Sequence, residues 1–146
     1  MPDMHEQWMR LCALLEDDPE VAPAVRRALE GSAGADPWEA LIDALDEADA
    51  LAYVQREDTG CELSEALARL PGAKRCGADL EVVADAWGDL TAAIGVADGL
   101  FAPHGLRLLH LPEDSEAVPL VLVPVERTEE IVALATRLGH GARPFG

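Results

Sequence analysis

Carboxylates are the reactive side chains this sequence supplies in number, and one set of them is regularly spaced. Asp36, Glu39, Asp43, Asp46 and Glu47 recur at helical intervals. At roughly 100° per residue they fall within about 100° of arc, opposite Trp38, Leu41, Ile42, Leu45 and Ala48, which fall within about 120°. One face of the predicted helix is apolar and the other is wholly acidic. No basic residue lies between Asp36 and Gln55, so the pairs Glu39/Asp43 and Asp43/Glu47 repel by roughly 0.2–0.5 kcal/mol each, and the ridge costs about 1 kcal/mol in all. A cationic protein surface docked there would recover that cost. A solvated face in an acidic protein, as in a cell with high internal salt, accounts for the same pattern. General acid–base work asks for a different setting, a carboxyl group taken out of water so that its pKa rises. Glu57-Asp58, which follows a predicted strand, suits that role better than the ridge, and a turn before the next helix accounts for the pair without any such role.

Other chemistry is sparse. Of the four histidines, His5, His104, His110 and His140, His104 and His110 are six apart and share a face if both lie on one strand, although Pro103 and Gly105 favour a turn at His104. His110 with Glu113 and Asp114 would suit zinc, manganese or iron, while a solvated hairpin end needs no metal; no metal and no cofactor is assigned. Cys12, Cys61 and Cys76 are separated by 49 and 15 residues. They form no CxxC pair and leave one thiol over in any disulfide scheme, which fits a reducing compartment, with Cys12 in the core. Arg26-Arg27 and Lys74-Arg75 are the basic doublets, read as solvated or helix-end charge. Glycine-rich phosphate loops, His-Glu-x-x-His and Gly-x-Ser-x-Gly are absent.

These residues must be carried by a series of short elements. Trp8, Leu11, Cys12 and Leu15 predict a helix over Met4 to Leu15. Asp18-Pro19 starts a second helix, bearing Val21, Val25, Ala28 and Leu29, which the glycine-rich Gly31 to Gly34 ends. Asp36-Pro37-Trp38-Glu39 has a cap residue, then proline at the first helical position, for a helix reaching about Ala50. Leu51 to Gln55 either prolongs that helix or forms a strand, and its β-formers favour the strand. Glu62 to Leu70 predicts a helix stopped by Pro71-Gly72. Ala78 to Phe101 predicts one helix or two abutting ones, on whose periodic face Trp87 lies and whose Gly88, Gly95 and Gly99 suggest close helix packing. Gly105 to Leu111 and Val118 to Pro124 read as a hairpin, with Pro119 and Pro124 at strand ends or on an edge. Thr128 then caps a helix to Leu138, and Ala142 to Phe145 adds a short strand. The expected fold is α+β, with a helical N-terminal two thirds packed on a small C-terminal hairpin-based sheet that ends β-β-α-β.

Composition bounds what such a fold is for. With 28 acidic and 11 basic residues the chain of 146 carries a formal charge of −17, which argues against nucleic acid and anionic membrane surfaces as partners. Its length suits one acidic globular domain over residues 1–146, and 49% hydrophobic residues are enough for a core. The longest apolar run, Ala117 to Val125, is nine residues with two prolines, far short of a spanning helix. The acidic N-terminal stretch lacks the basic region of a secretory signal, so a cytoplasmic location is expected.

Leu51-Ala-Tyr-Val-Gln-Arg-Glu-Asp58 with Glu62-Leu63-x-x-Ala66-Leu67-x-x-Leu70, then Phe101-x-x-x-Gly105-Leu-x-Leu, Leu120-Val-Leu-Val and Ala133-Leu-Ala-x-x-Leu-Gly139, resemble the uncharacterised bacterial family known as domain of unknown function 6630. The likeness spans roughly the last two thirds of the chain. It sets Glu57-Asp58 in an Asp-containing stretch of that family, with Gln55 and Arg56 where the family carries an aromatic residue and a lysine. A small α+β domain is what the resemblance implies, and it supplies no activity. Two functions follow as expectations. The first is a non-catalytic module binding a basic protein through the ridge, of inhibitor or immunity type. The second is a small enzyme or divalent-metal-binding domain using Asp58 with His104 or His110.

Overall fold

The computed structural model describes residues 4–15, 21–31, 36–111, 117–140 and 143–144. Three helices come first: α1 (Met4–Leu15), α2 (Val21–Glu30) and α3 (Pro37–Glu47). They are followed by β1 (Ala52–Gln55), α4 (Gly60–Ala68), α5 (Pro71–Cys76), the single turn α6 (Glu81–Ala84) and α7 (Leu90–Phe101). The last part holds β2 (Leu106–His110), β3 (Ala117–Pro124), α8 (Thr128–Arg137) and β4 (Arg143–Pro144). The described strands form an antiparallel sheet in the order β1-β3-β2-β4. This is an α+β fold, as the hydrophobic patterning predicts. No helix among the described residues is long and apolar enough to cross a membrane.

The helices cover both faces of the sheet. Side chains alternate along each strand. Ala52, Val54, Leu108, Val118 and Leu120 enter one core with α4, α5, α6 and α7. Leu109, Leu111, Val121 and Val123 enter the other with α1, α2, α3 and α8. β3 is therefore apolar on both sides, which is why its sequence reads as a continuous run instead of an alternation. Its neighbours β1 and β2 make it an interior strand, so Pro119 is not on an edge as expected. Pro119 is nevertheless tolerable, because its carbonyl accepts from Leu111 N–H at 3.0 Å just past the end of β2. The proline nitrogen faces that same side, so the missing donor falls where the ladder has already stopped.

Several boundaries differ from expectation for local reasons. α3 ends at Glu47 because Asp49 takes a left-handed conformation, φ 56°, and Ala50 N–H then reaches back to Leu45 O at 2.9 Å. That is the terminating motif usually marked by glycine. Pro71 does not only stop α4; it opens α5 from its first turn. Of the two readings of Ala78 to Phe101, one helix or two, the chain forms two, α6 and α7, separated by residues 85–89, and Trp87, placed on the apolar face by periodicity, points into water. Gly95 and Gly99 mark no close packing, since a Cβ at either would meet nothing within 4 Å. The close approach is at Gly60, where a Cβ would lie 2.1 Å from the carbonyl oxygen of Val83. Thr128 is the first residue of α8 and makes no capping bond; its hydroxyl is buried without a partner among the described residues. The predicted cap of α2 at Asp18-Pro19, most of the Gly31 to Gly34 stretch and the hairpin turn at Pro112 to Glu116 lie outside the described residues.

Candidate functional site

The acidic ridge forms as the sequence predicts. The Asp36 carboxylate accepts from Trp38 N–H at 2.9 Å and so caps α3, with Pro37 preset for the first turn. Trp38, Leu41, Ile42, Ala44 and Leu45 are buried on the inner side, which fixes the helix against the core. Asp36, Glu39, Asp43, Asp46 and Glu47 are all exposed on the outer side. Among the described residues, basic side chains approach only the ends of this row. Arg69 is ion-paired with Asp49 and lies close enough to Asp46 to feel its charge, while His140 senses Asp36. Glu39, Asp43 and Glu47 have no ion-pair partner among the described residues, so the uncompensated part of the ridge narrows to these three.

His140 belongs to the base of the same structure. Its ring stacks on Trp38 at 4.2 Å with planes 7° apart, and meets Trp8 edge-on at 5.9 Å. Removal from water between the two indoles lowers its pKa, and the Asp36 carboxylate opposes that shift. Burial similarly pushes the Cys12 thiol up to about 11, as befits a core residue with no nucleophilic role. Cys61 is exposed and Cys76 partly so, and none of the three is in a disulfide.

Glu57 and Asp58 do not form a desolvated acid–base pair. Both belong to the turn that ends β1, where Asp58 N–H bonds to Gln55 O at 3.0 Å and the Asp58 carboxylate accepts from Gln55 N–H at 2.8 Å. Asp58 thus holds a turn closed, and Glu57 is exposed. Next to it, the Glu62 carboxylate accepts from the backbone N–H of Thr59 at 2.8 Å and from its hydroxyl, which starts α4 and holds the Glu62 carboxyl below its ordinary range.

The two central histidines are kept apart. His104 is in the turn Ala102–His104 before β2, as Pro103 and Gly105 suggested, and His110 is the last residue of that strand. With about 3.4 Å of rise per residue, the ends of β2 are well beyond any shared ligand. Among the described residues no three His, Cys, Asp or Glu side chains converge on a point where a metal ion would fit; Glu113 and Asp114 are outside those residues. His110 instead lines a cleft of about 370 Å³ with Arg56, Asp89, Thr91 and three apolar residues. Sequence reasoning missed this grouping. Its polar members come from the turn after β1, the start of α7 and the end of β2, which no spacing along the chain links. Asp89 in that group is engaged as the cap of α7, accepting from Ala92 N–H at 3.0 Å.

The profile of a domain of unknown function (DUF6630) matches residues 7–145. The chain belongs to this family. The match takes in α1, α2 and α3 as well as the later two thirds in which the resemblance was first visible, so the acidic ridge lies inside the DUF6630 domain. No curated protein and no solved structure matches the chain.

Proposed function

We propose that this DUF6630 domain is a non-catalytic, cytoplasmic interaction module that binds a basic protein through the outer face of α3, in the manner of an inhibitor or immunity protein. The carrying observation is the row Glu39, Asp43 and Glu47, exposed, one turn apart and without a cation among the described residues. Two features support it. The inner side of α3 is fixed in the core by Trp38, Leu41 and Leu45, so the carboxylates stand on a backbone that need not rearrange on binding. The charge of −17 also speeds encounter with a cationic partner and discriminates against acidic ones.

The test is affinity capture from a lysate of the cell that encodes the protein, with wild type and the triple variant Glu39→Gln/Asp43→Asn/Glu47→Gln as parallel baits. A basic protein retained by the first and lost by the second supports the module. Equal capture by both reduces the ridge to a solvated face. A second reading, a small-ligand or divalent-metal domain, draws on the cleft lined by Arg56 and His110, in which no three His, Cys, Asp or Glu side chains converge among the described residues. Titration with zinc and manganese that leaves both heat and melting temperature unchanged removes its metal form.

A further inference from the structure

Trp87 is 95% exposed, against 3% for Trp8 and for Trp38. The backbone is anchored on both sides of Trp87. Before it, Asp85 N–H bonds to Glu81 O at 2.9 Å and Ala86 N–H to Val83 O at 3.1 Å. After it, Gly88 turns the chain at φ 103° and Asp89 caps α7. These anchors hold the backbone that carries the indole, which stands in solvent. A large aromatic side chain held in solvent by a bonded segment is a preorganised contact for a partner, and Val82 on α6 adds exposed apolar surface close by in sequence.

The charge that surrounds the indole along the chain has one sign. Asp79, Glu81, Asp85 and Asp89 are all exposed, and no Lys or Arg occurs between Arg75 and Arg107. Arg56 lines the same cleft as Asp89. A purely apolar partner would strand the flanking carboxylates. A guanidinium satisfies both demands, since it stacks on an indole face and donates in its plane to a carboxylate, and it is less tightly hydrated than an ammonium. We infer that Trp87, with the exposed Asp85 and Asp89 two residues to either side of it in sequence, is the docking point for an arginine-bearing segment of a partner protein. This surface is on the α4 to α7 side of the sheet, away from α3, and does not rest on the function proposed for the ridge.

The experiment titrates the full chain, with ¹⁵N in its indoles, against a synthetic peptide of alternating Arg and Gly at low salt, beside an equally charged Lys-Gly peptide. Trp87→Leu leaves the net charge unchanged and removes no packed side chain, so it separates stacking from general attraction. The Arg peptide shifts the Trp87 indole signal and leaves those of Trp8 and Trp38 in place. Its affinity falls about fivefold or more in Trp87→Leu, with a smaller fall for the Lys peptide, and it falls again in Asp85→Asn/Asp89→Asn, asparagine being as good a helix cap as aspartate. The variant Glu39→Gln/Asp43→Asn/Glu47→Gln keeps the Trp87 shift. An unmoved Trp87 signal, or equal affinity of wild type and Trp87→Leu for the Arg peptide, overturns the inference.

Discussion

His140 shows how one residue's surroundings set a measurable property of the whole. Stacked on Trp38 and edge-on to Trp8, it has a folded pKa below its ordinary value because burial disfavours the imidazolium. The unfolded chain therefore binds a proton more readily. The stability linked to this group is fully present above the unfolded pKa of about 6.5 and is lost as pH falls from there through the lower folded value. We predict that the urea midpoint of His140→Phe, measured from pH 7.5 to pH 5, declines less on acidification than that of wild type. Equal slopes would mean that the ring is as well solvated as a free imidazole. Two glycines give a contrast at the same scale. Gly60→Ala drives a methyl group into the Val83 carbonyl and should cost about 2–3 kcal/mol. Gly99→Ala meets nothing in an exposed part of α7 and should stabilise by about 0.5–1 kcal/mol. Denaturant titration of both variants reads the difference.

Helix α3 is the element in which sequence and structure agree most closely, because its information is local. Asp36 and Pro37 mark its start, and its apolar and acidic positions separate at the helical period. Its end was not legible, since Asp49 adopts a left-handed turn usually assigned to glycine. The segment after Pro71 was harder still. α5, α6 and the exposed Trp87 depend on how the chain folds back over α4 and α7, and a 3.6 repeat continues on paper through residues that the backbone separates. Repulsion along α3 should be measurable by itself. Asp43 faces Glu39 and Glu47 at four-residue spacing and Asp46 at three, so Asp43→Asn should stabilise the chain by about 0.5–1 kcal/mol at low salt, an effect that fades in 0.5 M NaCl. No gain at low salt would show that the carboxylates already avoid one another. Asp58→Ala should cost about 1 kcal/mol through the lost bond to Gln55 N–H, with thermal unfolding as the check.

At the scale of the molecule, the sheet separates two acidic surfaces, the α3 ridge on one side and the Trp87 segment on the other. The first was readable because it lies on one helix. The second, like the cleft that joins Arg56, Asp89 and His110, was not, because exposure and convergence are set by tertiary packing and leave no fixed spacing in sequence. That β3 is buried on both faces was written in its unbroken apolar run, yet the run alone does not say which helices cover it. The ridge carries a predicted cost in folding energy and stands on a helix whose inner face is buried, and the proposed binding role rests on that combination. The most direct measurement is the affinity of the captured basic partner for wild type and for Glu39→Gln/Asp43→Asn/Glu47→Gln, by calorimetry at two salt concentrations. The account predicts binding that weakens steeply with salt in wild type and is lost or much reduced in the variant, while the variant itself is more stable. Equal affinity of the two proteins, with the same salt dependence, would contradict it.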